Sequence, residues 1–385
     1  MTASLEEGAQ VESLAAFVQR AGDFLERERN ARRLPVDWGA IVPPARVDEA
    51  KQWQRHLFDA GLAGIHWPTA SGGRGLTPDH TSAWILACAR ADAPPFLNMV
   101  GHVLAAGALL NFGTTEQQSA HLPPIASGDA VWCQLFSEPG AGSDLASLTT
   151  RAVRDGDRYV ISGQKVWCSN GRVADWGICL ARTGPAEEAG GPRRHKGISF
   201  FMVDMSLPGV EVRPLRQMTG GAEFDEVFLD DVPVPVECLL GAEHEGWSVA
   251  MAALTNERGH IGSASISLRR RLDRMAAELA GAGGAVERDR VVALLARGEA
   301  LGALGNRQGA VASVASSLSK LGVTELLFDA ALARVDTAGA GAMLDSPAAQ
   351  GLLTAPSGRI AGGTTQVQKN IIGERILGLP KEPSP

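Results

Sequence analysis

The chain has 385 residues, 45% of them apolar, a formal charge of −7 and five cysteines. Its length and apolar content suit more than one structural unit around a large buried core, and its acidic balance argues against nucleic acid, whose phosphates need a concentrated basic face. The longest apolar runs, such as Ile198–Val203, are too short to cross a bilayer, so no membrane association is expected.

The first ten residues (MTASLEEGAQ) carry acids and no apolar stretch, so a secretory signal is not expected. Cys88, Cys133, Cys168, Cys179 and Cys238 form an odd set without CxxC spacing, which reads as reduced thiols in a cytoplasmic protein. Two basic clusters, Arg27–Arg33 and Arg269–Arg274, are interleaved with apolar or acidic residues and read as solvated helix faces.

From Leu5 to about Ile125 the pattern is helical: LAAFVQRAGDFLERER and TSAWILACARADA place apolar residues three and four apart. Breaks are expected at Pro43–Pro44, from Trp67–Pro68 to Gly72–Gly73, and at Pro94–Pro95. The character changes near Ala130. Up to about Leu240, short runs rich in Val, Ile and Phe predict strands: RYVISGQKVWCSN after an Asp155-Gly156-Asp157 hairpin turn, then DWGICLAR, GISFFMVDM, VEVRPLR and EFDEVFLDDVPV. Residues 184–196 read as an exposed loop. After Gly241 the helical period returns, with Trp247, Ala250, Met251, Leu254, Arg258 and Ile261 on one stripe. Ala280–Ala285 and Ala338–Ala342 read as connections between helices. The expected organisation is helical over 1–128, β over 129–241 and helical over 242–385.

Three loops carry candidate chemistry. Ser137-Glu138-Pro139-Gly140-Ala141-Gly142-Ser143-Asp144 follows the apolar run VWCQLF; its glycines let backbone amides approach an anion, and Ser143 adds a hydroxyl. It lacks the third glycine and the strand–helix–strand period of a dinucleotide-binding fingerprint, and a simple polar turn is the competing reading. Lys165-Val166-Trp167-Cys168-Ser169-Asn170-Gly171 ends a strand, where a Trp beside a Ser could face a planar ring. On local grounds a core tryptophan is favoured. Gly362-Gly363-Thr364-Thr365-Gln366 opens the last helix, Val367–Leu377, where Thr and Gln bind phosphate or simply cap the helix; capping is the safer local reading. Glu257 and Arg258 lie on or beside the apolar stripe after the β segment. There a carboxylate drawn out of water becomes a better base, or else forms an ordinary ion pair. His260 follows on the same helix and reads as packing.

Together, in this order, FSEPGAGSD, KVWCSNG, HKGISFFMVDM, PGVEVRPLRQMTG, FDEVFLDDVPVP and GGTTQVQKNIIGERILGLP resemble the acyl-CoA dehydrogenase family over essentially the whole chain. The resemblance implies an α+β fold: an N-terminal helical domain, a central β-barrel-like domain and a C-terminal helical bundle. It also implies FAD as cofactor. Gln134, Phe136 and Ser137 would lie along the flavin ring, Trp167 and Ser169 would cover it and bond its N5, and Thr364 and Gln366 would meet the diphosphate side. Ser143 and Arg258 would serve the acyl-CoA.

In much of the family the catalytic glutamate directly precedes the last motif's G-T-[ST]-Q; here that position is Gly362, whose backbone N–H would still bind the thioester oxygen. A minority carries the glutamate before the cavity arginine, which here is Glu257. The implied reaction is α,β-dehydrogenation of an acyl-CoA to the trans-2-enoyl-CoA, with electrons passed to an electron-transfer flavoprotein. A bulky, branched or cyclic acyl group is favoured. The Gly-Gly-x-Gly-aromatic stretch of many members has no counterpart near Thr337–Ala349, so contacts to the adenine half of FAD are unassigned. The implied assembly is a homodimer or homotetramer, or a mixed tetramer with a related chain. Competing functions are a non-catalytic partner subunit, and an oxidase or monooxygenase on the same scaffold.

Overall fold

The computed structural model describes residues 12–39, 41–184, 195–258, 269–270, 272–277, 284–305 and 312–380, with the side chains of 255–258, 305 and 312–316 outside that description. Most of the expected loop at 184–196, most of the Ala280–Ala285 connection, and His260 and Ile261 lie outside the described residues.

Five helices open the chain: α1 (Leu14–Asn30), α2 (Val47–Asp59), α3 (Pro78–Ala91), α4 (Ala106–Phe112) and α5 (Thr115–Ser127). Their starts follow capping chemistry. The Ser13 hydroxyl accepts from Ala16 N at 3.3 Å, and Thr114 with Gln117 forms a capping box at α5. Phe17, Phe24, Trp53, Leu57, Trp84 and Leu109 fill the space between the helices. The break at Pro94–Pro95 has a structural use, because the Trp53 and Trp84 indoles donate to those two carbonyls at 2.9 Å. A π-helical turn, Val100–Ala105, leads directly into α4.

The middle of the chain is one curled sheet of seven strands: β1 (Trp132–Leu135), β2 (Arg151–Asp155), β3 (Arg158–Ser169), β4 (Trp176–Arg182), β5 (Ile198–Asp204), β6 (Val210–Leu215) and β7 (Phe224–Pro235). β5 runs antiparallel along one edge of β4; β1 runs parallel along the other, where β2 joins at the Arg151–Arg182 pair. From β2 the order continues antiparallel through β3, β7 and β6. β4 and β5 are apolar on both faces because both are covered. Ile178, Leu180, Phe200 and Met202 face the helices. Cys179, Ala181, Phe201 and Val203 face an inner core shared with Tyr159, Ile161, Val227 and Val234.

The chain then returns to helices: α6 (Gly246–Arg258), α7 (Ala285–Gly305), α8 (Ala312–Ala338), α9 (Pro347–Ile360) and α10 (Thr365–Ile371), the last continued by a π-helical turn Ile372–Ile376. No helix among the described residues is long and apolar enough to cross a membrane. A Cβ on Gly246 would lie 2.3 Å from the Ser199 carbonyl carbon, so only glycine lets α6 start this close to β5. That close approach shifts the buried stripe of α6 from the expected one. Val249, Ala250 and Ala253 are fully buried, while Trp247, Met251 and Leu254 are only partly so. The second basic cluster also differs from a purely solvated face. Arg270 donates to the Ala89 carbonyl at 2.6 Å, and Arg270 and Arg274 pair with Asp92 at 3.1 and 3.3 Å, tying the C-terminal helices to the end of α3. Cationic side chains suit the unpaired carbonyls of a helix C-terminus. All five cysteines are free thiols.

Candidate active site

The loop after β1 closes on itself: Glu138 N donates to Ala141 O and Ala141 N to Glu138 O, both at 3.0 Å. A buried ion pair fastens it. Lys165 on β3 is fully buried, and its Nζ reaches Glu138 Oε1 at 2.9 Å and the Phe136 carbonyl at 3.1 Å. Glu138 also accepts from Thr149 N at 2.7 Å, Thr149 Oγ1 at 2.8 Å and Thr150 N at 2.9 Å. Burial pushes the Glu138 carboxyl up, but the Lys165 charge and the threonine donors outweigh it and bring its pKa down to about 2. A backbone bond from Val166 N to Ser137 O, 2.9 Å, completes the junction of the two loops.

Beyond Lys165, strand β3 bulges. Lys165 pairs with Val227 and Cys168 with Asp225, so Val166 and Trp167 together oppose Glu226 alone. Trp167 takes the left-handed conformation at φ +61, which turns its ring out of the sheet. It is 58% exposed and meets Phe224 edge-on, with ring centroids 5.9 Å apart. The core tryptophan favoured on local grounds is therefore wrong, because the bulge reverses the strand's alternation at that residue. Asn170, also left-handed at φ +59, donates to the Val42 carbonyl at 2.6 Å and anchors the loop to the N-terminal helices. Asp225, 1% exposed, accepts from Arg172 N at 2.9 Å and pairs with Arg172 Nε at 2.6 Å. Burial raises the Asp225 carboxyl above its ordinary value even against that arginine.

Gln134 is half-buried on β1, opposite Ile178. Phe136 is buried edge-on against Phe200 at 5.7 Å, while Ser137 and Ser169 are half-buried and Ser143 is exposed. The structure thus brings Gln134, Phe136 and Ser137 together with Trp167 and Ser169 through the Lys165 junction. Glu257 and Arg258 are the last two residues of α6, and their side chains lie outside the described residues.

The third motif is held from the C-terminal helices. Thr364 caps α10, accepting from Val367 N at 3.2 Å, as the local reading expects, and Gln366 is exposed. Gly362 and Gly363 are left-handed at φ +64 and +92, and a Cβ on Gly362 would meet nothing within 4 Å. Sequence reasoning assigned no role to Glu138, Lys165, Asp225 or Lys320. Lys165 carried a usable signal: it shares strand parity with the buried Tyr159 and Ile161, where a lysine is out of place.

An outward-facing Trp167 on a strained bulge, beside a loop with free glycines, fits a planar ring stacked on the sheet. Helix–sheet–helix order with such a platform is the arrangement that the resemblance to a flavin-dependent dehydrogenase implies. The acyl-CoA dehydrogenase N-terminal, middle and C-terminal domains match residues 12–129, 133–232 and 244–377. Acyl-CoA dehydrogenase IpdE1 of Mycobacterium tuberculosis is 39% identical over 365 residues, covering 87% of this chain and 89% of that one. Acyl-CoA dehydrogenase FadE34 of the same organism is 39% identical, and the match covers 89% of this chain but 48% of that longer protein. Among solved structures, the Tcur3481–Tcur3483 steroid acyl-CoA dehydrogenase superposes with a TM-score of 0.81 at 26% identity, covering 97% of this chain and 100% of that one. The chain belongs to the acyl-CoA dehydrogenase family and is an FAD-dependent oxidoreductase of acyl-CoA thioesters.

Proposed function

We propose that the enzyme dehydrogenates a bulky, ring-bearing acyl-CoA, with Glu257 as the base and the Gly362 N–H as a donor to the thioester oxygen. The observation that carries this reading is Gly362 itself. The position where much of the family keeps its glutamate is a left-handed glycine with open space on its side-chain side. A carboxylate is still required, because the α-proton of a thioester is weakly acidic and needs a positioned base. Glu257, the penultimate residue of α6, supplies one. The space beside Gly362 suits a wide acyl group.

Cyclohexane-1-carbonyl-CoA dehydrogenase of Geobacter metallireducens, 36% identical over 220 residues covering 55% of each chain, supports the ring-bearing class. Bound FAD would supply the acceptor for the hydride leaving Cβ, with an electron-transfer flavoprotein as the proposed onward acceptor. The chain's own contributions are separate from that. Trp167 and Gln134, Phe136 and Ser137 would flank the ring, Ser169 would hydrogen-bond its edge, Thr364 and Gln366 would face the diphosphate, and Ser143 and Arg258 would hold the acyl-CoA. Anaerobic titration with cyclohexane-carbonyl-CoA, a fused-ring acyl-CoA and octanoyl-CoA tests the assignment. Bleaching of the oxidised flavin by the ring thioesters ahead of octanoyl-CoA supports it, and the reverse order contradicts it.

A second reading concerns assembly. The ChsE4–ChsE5 complex from Mycobacterium tuberculosis superposes at a TM-score of 0.76 with 27% identity, covering 98% of this chain and 100% of that one. The residues Val286, Met343, Leu344, Ile360 and Leu377 of the C-terminal region are exposed and apolar, and the reading is association either with a second copy or with a related chain. The mass of the purified protein, alone and co-expressed with a related chain, separates these.

A further inference from the structure

We infer that Lys320 is a positioning residue: with Gln368 it locks the Gly362–Gly363 turn so that the Gly362 N–H keeps one direction toward the thioester oxygen. The inference rests on the thioester-binding role proposed above for Gly362. Two consecutive glycines are the most pliable backbone a chain can place at a site, yet a catalytic donor must be aimed before the reaction begins. Something outside the turn has to supply the rigidity.

The structure supplies it on both sides of the peptide that carries the Gly362 N–H. Ala361 N donates to Ser357 O at 2.9 Å, so the turn leaves α9 from a fixed point. Gln368 Nε2, on a side chain 2% exposed, donates to Gly362 O at 3.0 Å. Lys320 Nζ, reaching across from α8, donates to Gly363 O. Thr364 then caps α10. The carbonyl and N–H of a trans peptide point in opposite directions. Fixing the Gly362 and Gly363 carbonyls fixes the 362–363 and 363–364 planes, and the Ala361 N–H bond fixes the 360–361 plane, so the 361–362 plane that carries the Gly362 N–H is held between anchored neighbours on both sides. Gly363 must be glycine for this packing, since its Cβ would sit 2.7 Å from Gln368 Nε2.

The neighbours of the lysine on α8 bind the same elements. Glu325, one turn further along α8, pairs with Arg359 of α9 and accepts from Thr365 Oγ1 at 3.4 Å. Arg359 in turn lies over the Phe328 ring, 3.7 Å from Cζ to the centroid. Burial lowers the Lys320 pKa, with Glu325 opposing. One helix face of α8 thus grips α9, the double-glycine turn and the start of α10.

The test compares wild type with Lys320→Met, Lys320→Arg and Gln368→Leu, each purified with its flavin content measured. Amide hydrogen exchange of the peptide spanning 361–368 should rise at least about tenfold in Lys320→Met and less in Lys320→Arg. The rate of anaerobic flavin reduction should fall roughly 10- to 100-fold, short of the loss expected for deleting an oxyanion donor outright. Binding of a non-oxidisable thioester with sulfur in place of Cβ should change less than about threefold, because ground-state contacts are retained. Its ionisation to the enolate, read as long-wavelength charge-transfer absorbance, should fall in step with the rate. Unchanged exchange in a folded Lys320→Met protein, or exchange that rises while reduction and enolate formation stay at wild-type levels, would overturn the inference. If Lys320→Met does not fold, Gln368→Leu and Lys320→Arg carry the same comparison. If no thioester bleaches the wild type, the dehydrogenation reading fails, and the exchange data still decide whether the lock exists.

Discussion

Lys165 Nζ lies 2.9 Å from Glu138 Oε1, both side chains buried, and this contact helps join the loop after β1 to the end of β3, which carry the residues proposed to face the flavin. The pair belongs to strand β3 and to the turn after β1, which are brought together only by the sheet's curl. A buried ion pair adds little net stability over an apolar replacement, but removing one partner strands a charge. Lys165→Met should therefore cost about 3–5 kcal/mol in chemical denaturation and release flavin. The double variant Lys165→Met/Glu138→Leu should recover part of that loss. A Lys165→Met protein as stable as wild type would contradict the role given to the pair.

The same carboxylate sets an acid limit. Its folded pKa, about 2, lies below its ordinary value of 4.5, so its stabilisation is complete above the unfolded value and is lost as pH falls through the folded one. The predicted window is pH 4.5 down to about 2, and the contribution is roughly 3 kcal/mol on the linkage relation. Denaturation midpoints measured across that range should fall steeply in wild type. In Glu138→Gln the slope should be shallower; an identical slope in both would remove Glu138 from the account.

Trp167 makes the opposite kind of prediction, because it is more exposed than buried and sits in a strained backbone conformation. Trp167→Gly should leave stability within about 0.5 kcal/mol of wild type. Flavin affinity should drop roughly three- to tenfold, the worth of one aromatic contact. Fluorescence titration of the apoprotein with FAD measures this, and unchanged affinity would mean that the ring lies elsewhere.

At Gly362 space is open but the backbone is not. Gly362→Ala should destabilise by about 1 kcal/mol through the left-handed φ alone. Gly362→Glu introduced into Glu257→Gln should restore little activity, because an L side chain at this left-handed φ shifts the peptide plane whose N–H is proposed to bind the thioester oxygen. Full recovery in that double variant, read as the rate of flavin reduction, would show that the turn tolerates a side chain without moving.

Much of this architecture was legible in the residues. The pairs Pro43–Pro44 and Pro94–Pro95 marked helix breaks, Asp155-Gly156-Asp157 marked the β2–β3 hairpin, and apolar runs marked β3 to β7. The outward turn of Trp167 was not legible, because a bulge is a property of two paired strands and β7 is more than fifty residues away. Glu138 with Lys165, and Lys320 with Gly363, were hidden for the same reason. Each is a contact between elements whose separate sequences show only a charge. The arginines reaching Asp92 looked like a solvated face because their partner lies on another helix.

The central claim is that the catalytic carboxylate has moved from the Gly362 position to Glu257. Its most direct test is single-turnover reduction of the bound flavin by one ring-bearing acyl-CoA under anaerobic conditions, wild type beside Glu257→Gln. The account predicts rapid bleaching in wild type and a loss of about 10²–10⁴-fold in the variant, with flavin content unchanged. Reduction of Glu257→Gln within about tenfold of wild type would place the base on another residue.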